Sequence, residues 1–207
     1  MKTLIAVPCM DSVPVQFCQS LALLEKPEDC VLAMQAGSLI YTSRNDLATK
    51  SIQMNADLVF WMDSDMVFPP DTLVRMLKTL EEHPEIDILT GVYFRRVPPY
   101  TPTLFDMLRM NGNICEWSQF KTLPTDLFEV GGCGFGCVLM RTEVFMSVQS
   151  KHGNMFAPIG NNGEDIAFCM RARDCGYKII CDPSIVCGHI GKIVVDDKFF
   201  RAYGGKI

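Results

Sequence analysis

Residues 57–62 read Asp-Leu-Val-Phe-Trp-Met, apolar almost throughout, and the run stops at Asp63-Ser64-Asp65. A strand without polar alternation has to be covered on both faces, which is the condition of a parallel sheet held between helices. The neighbouring segments supply those helices. Residues 3–7 form a first apolar strand ending at Pro8. Ser12 can cap a helix that puts Val13, Phe17, Leu21 and Leu24 on one face. A second strand at 31–34 precedes a helix at 43–54, with Leu47, Ser51 and Met54 turned inward. Pro69-Pro70-Asp71 opens a helix carrying Leu73, Met76, Leu77 and Leu80 at i, i+3, i+4 and i+7, and Pro84 ends it. Residues 86–91 form a fourth strand. The order β-α-β-α-β-α-β over about 90 residues predicts a doubly wound α/β half.

The second half is less regular. Residues 92–130 hold Pro98-Pro99, Pro102 and Pro124 among aromatics, and read as loops and short antiparallel strands. A glycine-rich turn at 131–136 is followed by a strand at 138–140 and a helix at 142–149. A further helix spans 164–175 and is terminated by Gly176. Residues 178–181 form a strand ending at Asp182-Pro183. With no repeat, low-complexity tract or linker, the reading is one domain over 1–207.

At 48% hydrophobic and 21% charged, the chain can bury a real core. Its net charge of -5 disfavours nucleic acid or an anionic membrane as a partner. No run approaches the ~18 apolar residues of a membrane span. The opening apolar stretch, broken by Pro8 and Asp11, reads as a strand rather than a leader. Ten cysteines include Cys169, Cys175, Cys181 and Cys187 at intervals of six, but no Cys-x-x-Cys pair. They read as small buried hydrophobes in a reducing compartment, so the expected location is cytoplasmic.

Four places could carry chemistry. With 15 Asp in the chain, about one Asp-x-Asp arises by chance, so only the position of Asp63-Ser64-Asp65 is informative. Open α/β sheets bind ligands beyond the carboxyl ends of their strands, where two such carboxylates could meet one hard cation; a solvated turn would look the same. Glu164-Asp165 begins a helix, so it is either a first-turn cap or a general base aimed into a cleft. His189, between Gly188 and Gly191, is either structural or a ligand for an ion of the Mn²⁺ type, with Lys192 close behind for a phosphate. Arg44 enters a helix where its fork could take a phosphate or carboxylate, or simply face solvent.

In this order these segments resemble the GT-A fold glycosyltransferases of the broad family 2-like group. The resemblance rests on the strand ending at Pro8, on Ser43-Arg44-Asn45, on 59–66 with its Asp63-Ser64-Asp65, on Phe68-Pro69-Pro70 and on 91–95. It continues through the glycine-rich 131–141, Gly163-Glu164-Asp165 and His189. It implies a single-domain Rossmann-like α/β fold, with a mostly parallel central sheet, helices on both faces and a small antiparallel acceptor-side part. It also implies a nucleoside-diphosphate sugar donor, a divalent metal (Mn²⁺ or Mg²⁺), and a glycan, lipid or protein acceptor. Asp65 and Asp63 then correspond to the metal-binding and the ribose- or metal-contacting carboxylates, with His189 as a late metal ligand. The resemblance divides the single domain into a nucleotide-sugar-binding half at 1–91 and an acceptor-side half with C-terminal tail at 92–207, and places Pro8, Arg44, Asp63 and Lys192 on the donor side. No acidic residue follows the second strand, where only Gln35 stands, so the donor base is open.

The expected activity is a hexosyltransferase-type transfer from the donor to an acceptor hydroxyl, inverting, with Asp165 as base. Trp117, Phe120 and Phe135 are candidates to stack on sugar rings, or are core. Two alternatives use the same parts: a non-catalytic nucleotide-sugar or carbohydrate binder, and a nucleotidyltransferase. The second would bring a basic, glycine-rich loop after the first strand, where this chain has Pro8-Cys9-Met10-Asp11-Ser12.

Overall fold

The structure is a computed structural model and describes residues 1–37, 39–111, 114–120 and 122–191. Its elements in chain order are β1 (Thr3–Cys9), α1 (Val15–Leu23), β2 (Cys30–Ala36), α2 (Ile40–Gln53), β3 (Leu58–Met62), β4 (Met66–Val67), α3 (Thr72–Glu82) and β5 (Ile88–Val92). There follow β6 (Leu104–Asn111), β7 (Ile114–Gln119), β8 (Phe128–Val130), β9 (Gly132–Cys133), β10 (Cys137–Arg141), α4 (Thr142–His152), α5 (Glu164–Asp174), β11 (Ile179–Val186) and β12 (Gly188–His189).

The expected α/β architecture is present. A seven-stranded sheet runs β2-β1-β3-β10-β5-β11-β8. β2, β1, β3, β5 and β11 point one way, while β10 and β8 run against them. All five side chains of β3 are buried. Leu58, Phe60 and Met62 enter one core with Phe17 of α1 and Leu73, Met76 and Leu80 of α3. Val59 and Trp61 enter the other core with Leu47 of α2, Phe145 of α4 and Phe168 of α5. The strand is apolar on both sides because both sides are covered.

Three local expectations change. Helix α1 starts at Val15 with Pro14 at its N-cap, not at Ser12: the residue before a proline is kept out of the helical region, so Val13 blocks an earlier start. Strand β11 runs through Asp182-Pro183, because a register shift between Cys181 and Val186 absorbs the proline's missing N–H. The fourth sequence-predicted strand, now β5, is separated from β3 by the antiparallel β10. That reversal matters for the site. The carboxyl ends of β1, β3 and β5 share one sheet edge with the amino end of β10, so the glycine-rich 131–136 segment arrives where β3 delivers Asp63 and Asp65.

The antiparallel part is a three-stranded sheet β7-β6-β9. A second small ladder, β12 with β4, pairs His189 with Met66. All ten cysteines are free, and Cys133, Cys137, Cys169, Cys181 and Cys187 are buried. Among the described residues no helix is long and apolar enough to cross a membrane.

Candidate active site

Beyond the edge shared by β1, β3 and β5 lie two cavities with one common wall. The smaller, of about 230 Å³, is polar and is lined by Pro8 and Cys9 from the end of β1, by Arg44, and by Asp63, Asp65 and Glu164. The larger, of about 330 Å³, is mainly apolar and is lined by Tyr93, Phe105, Leu108, Trp117 and Ile166. Asp165 lines both.

Arg44 is only 2% exposed. It sits 19 residues from one partner and 120 from the other: Nη2 donates to Asp63 Oδ1 at 2.8 Å and Nε to Glu164 Oε1 at 3.0 Å. Its guanidinium carbon lies 5.5 Å from the Trp61 ring centroid and 5.3 Å from that of Phe135, a cation–π seat. Nη1 is buried without a partner. Arg44 therefore holds two carboxylates in place while itself lining the polar cavity. Phe135 is fully buried beneath it and is core, not a sugar platform.

Asp65 faces three groups. Arg96 Nη1 donates to Asp65 Oδ2 at 2.6 Å, His189 Nε2 stands 3.4 Å from the same oxygen, and the Asp65 carbonyl accepts the Ile190 N–H at 2.8 Å. His189 Nδ1 lies 2.8 Å from the Phe94 carbonyl oxygen, so this nitrogen carries the proton. Nε2 then either donates to Asp65 as imidazolium or turns a lone pair toward a cation. The β4–β12 ladder and an edge-to-face contact with Tyr93 at 5.4 Å fix the ring. Imidazole and acidic segment, 124 residues apart in the sequence, thus converge as expected. Lys192 lies outside the described residues.

Burial pushes the Asp65 carboxyl up, but the His189 hydrogen bond and the charges of His189 and Arg96 outweigh it and leave Asp65 below the usual carboxylate range. Burial pushes Asp63 up against the pull of Arg44. Asp165 is raised from 3.8 to about 6, first by burial and then by the Glu164 charge, with Arg44 pulling the other way. Its Oδ1 accepts the Ile166 N–H at 2.7 Å.

Tyr93 was quoted in the sequence only as part of a motif. Its buried phenol, held well above its usual range by desolvation, accepts the Gly136 N–H at 3.2 Å. A Cβ on Gly134 would collide with the Tyr93 hydroxyl, and one on Gly136 would come within 2.8 Å of the ring, so the glycines of this segment make room for that phenol. Arg96 was missed altogether: an arginine beside Arg95 at the head of a proline-rich loop carries no signal until the loop folds back on Asp65. Gln35 pairs in register with Pro8 but does not line the polar cavity. Phe120 packs on Phe128 and does not line the larger cavity, whereas Trp117 does.

Residues 52–148, just under half of the chain, match the family model described as Glycosyl transferase family 2. Two solved structures superpose over 93% of this chain with TM-scores of 0.66. One, A197 from STIV, is 18% identical, with 87% of that chain covered. The other, GalNAc-T7 with UDP, GalNAc and Mn²⁺, is 9% identical, and this chain spans 44% of it. The chain has a GT-A fold, and its residues 52–148 are similar to glycosyl transferase family 2. No curated protein sequence matches it.

The donor set of this GT-A domain fits a divalent cation completed by its ligand. Asp63, Asp65, Glu164 and Asp165 line one cavity with Arg44 as the only buried cation among the described residues lining it, so any anionic ligand would need further positive charge there. Among the described residues no three His, Cys, Asp or Glu side chains form a protein-only metal site. Asp65 and His189 offer two donors, the usual number when substrate phosphates supply the rest.

Proposed function

We propose that this domain transfers a sugar from a nucleoside-diphosphate sugar to an acceptor hydroxyl with inversion. The observation that carries the reading is the position of Asp165 on the wall common to the polar and the apolar cavity. The donor diphosphate lies in the polar cavity beside Pro8, in the 1–91 half, and the acceptor enters the other from the 92–207 half. Asp65 and His189 would hold a divalent ion, which supplies charge to a diphosphate leaving group when bound. Asp63, oriented by Arg44, contacts the donor's ribose or the ion. Asp165 takes the proton from the acceptor hydroxyl; with its carboxyl near 6 it is ionised at neutral pH yet basic enough for the task. Glu164, tied to Arg44, keeps the first turn of α5 and hence Asp165 in register.

Arg96 has a part before the donor arrives. It holds the Asp65 oxygen that faces His189, as a cation supplied by the chain itself. An entering ion has to displace it. Arg96→Ala is expected to tighten Mn²⁺ binding to the nucleotide-free protein severalfold, measured by electron paramagnetic resonance of free Mn²⁺. Arg95→Ala, which removes the same charge next door without touching Asp65, is expected to change it far less.

The test of the activity is release of nucleoside diphosphate from a panel of nucleotide sugars, with Mn²⁺ and with chelator. Metal-dependent release that Asp65→Ala abolishes supports transfer chemistry. Tight metal-dependent binding of the whole panel without any turnover, including with acceptor mixtures, contradicts it and favours a binder.

A further inference from the structure

The larger cavity says what kind of molecule it receives through the hydrogen-bonding capacity its walls leave unused. Gln119 lies at the end of β7, and its Nε2 donates to Thr101 Oγ1 at 3.1 Å and to the Pro102 carbonyl at 3.3 Å. Asn162 Nδ2 donates to the Ile159 carbonyl at 3.1 Å. The Thr103 hydroxyl donates to the Tyr93 carbonyl at 3.2 Å. Both N–H groups of Gln119, one of the two on Asn162 and the Thr103 hydroxyl are thus engaged by the protein's own backbone and side chains. What the side chains still offer to a guest is acceptor oxygen at Gln119 Oε1, Asn162 Oδ1 and the Asp165 carboxylate, with the Arg95 guanidinium on the same wall as a donor. A wall with several acceptors and one donor fork suits a ligand whose polar groups both donate and accept. Beside those oxygens stands Trp117, 56% exposed and braced edge-to-face on Phe105 with ring centroids 5.8 Å apart.

An alkyl chain would leave three oxygens desolvated and unpaired, a cost of the kind that decides specificity. A peptide brings about one N–H per residue and rarely an apolar ring face. A sugar brings several hydroxyls around its rim and C–H groups on its face, matching both halves of the wall.

We propose that the acceptor is a saccharide, its terminal ring lying on Trp117 and its hydroxyls donating to Gln119, Asn162 and Asp165. This deepens, and rests on, the reading of Asp165 as the group that meets the acceptor hydroxyl. The chain has two tryptophans, and Trp61 is fully buried while Trp117 is not, so a change in intrinsic fluorescence on adding a ligand reports Trp117.

The experiment titrates the full chain, without donor or metal, with lactose, maltose, cellobiose and N,N′-diacetylchitobiose. A serine-containing peptide and a short-chain alkyl alcohol serve as comparators. The expected result is a saturable emission shift with at least one disaccharide and none with either comparator. Isothermal titration is expected to show at least tenfold weaker binding of that disaccharide to Trp117→Phe and to Asn162→Ala. UDP binding with Mn²⁺, measured on the same variants, is expected to be unchanged, which separates this proposal from the donor-side reading. Absence of binding by every disaccharide, a saturable shift with peptide or alkyl alcohol alone, or undiminished disaccharide binding by both variants would each overturn it.

Discussion

Asp165→Asn is expected to lower sugar transfer by about 10²–10⁴-fold, the usual contribution of a positioned general base, while making the protein more stable at alkaline pH. The two effects share one cause. Burial and Glu164 raise the Asp165 carboxyl from 3.8 to about 6 in the folded chain. Between those values the native state holds a proton that the unfolded chain has released, so stability falls as pH rises through this window. Above it, the folded protein carries a carboxylate that its surroundings disfavour, at a cost of up to about 3 kcal/mol for a shift of this size. Asparagine keeps the shape and removes the charge. For a domain of this length about 2–4 °C of Tm accompanies each kcal/mol. Thermal unfolding of Asp165→Asn against wild type is therefore expected to show a gain of several degrees at pH 8 that vanishes near pH 4. In the wild-type protein the acid limb of kcat/KM for the proposed transfer is expected to fall through about pH 6. Intact transfer by the variant, or a Tm gain as large at pH 4 as at pH 8, would remove Asp165 from the role.

Arg44→Met is expected to be the most destabilising single change at the site. The guanidinium is buried against Trp61 and Phe135 and answers both Asp63 and Glu164. Its loss leaves two carboxylates in a confined place without their counter-charge, a situation that costs about 3–5 kcal/mol in comparable buried pairs. Because the defect is unpaired negative charge, the loss is expected to be larger at pH 8 than at pH 5. The triple variant Arg44→Met, Asp63→Asn, Glu164→Gln is expected to recover much of the stability, though not the activity. A triple variant no more stable than Arg44→Met would mean that the arginine acts through packing alone. Chemical denaturation at the two pH values gives both comparisons.

Local periodicity made most of the fold legible. The unbroken apolar run of β3 announced a sheet covered on both faces, and the i, i+3, i+4, i+7 pattern of Leu73, Met76, Leu77 and Leu80 announced α3. Strand direction was not legible, since an apolar pentapeptide such as β10 reads the same whether it runs with its neighbours or against them. The acidic residues of the site could be singled out because each interrupts or begins an element. Their partners could not. That Arg44 would turn inward depends on carboxylates 19 and 120 residues away, and Arg96 reaches Asp65 from a segment tied to His189 through the Phe94 carbonyl and to Thr101 through the Arg95 N–H. The same holds for the cavities: Trp117 and Phe135 are both aromatic in sequence, but only the three-dimensional packing separates an exposed platform from a ring beneath an arginine.

The most direct measurement is a crystal structure of the full chain with UDP and Mn²⁺, read through the anomalous signal of manganese. The account predicts one peak between an Asp65 oxygen and His189 Nε2, with Arg96 displaced from Asp65 and the diphosphate beside Pro8. A nucleotide seated elsewhere, or a manganese peak that neither Asp65 nor His189 touches, would contradict it.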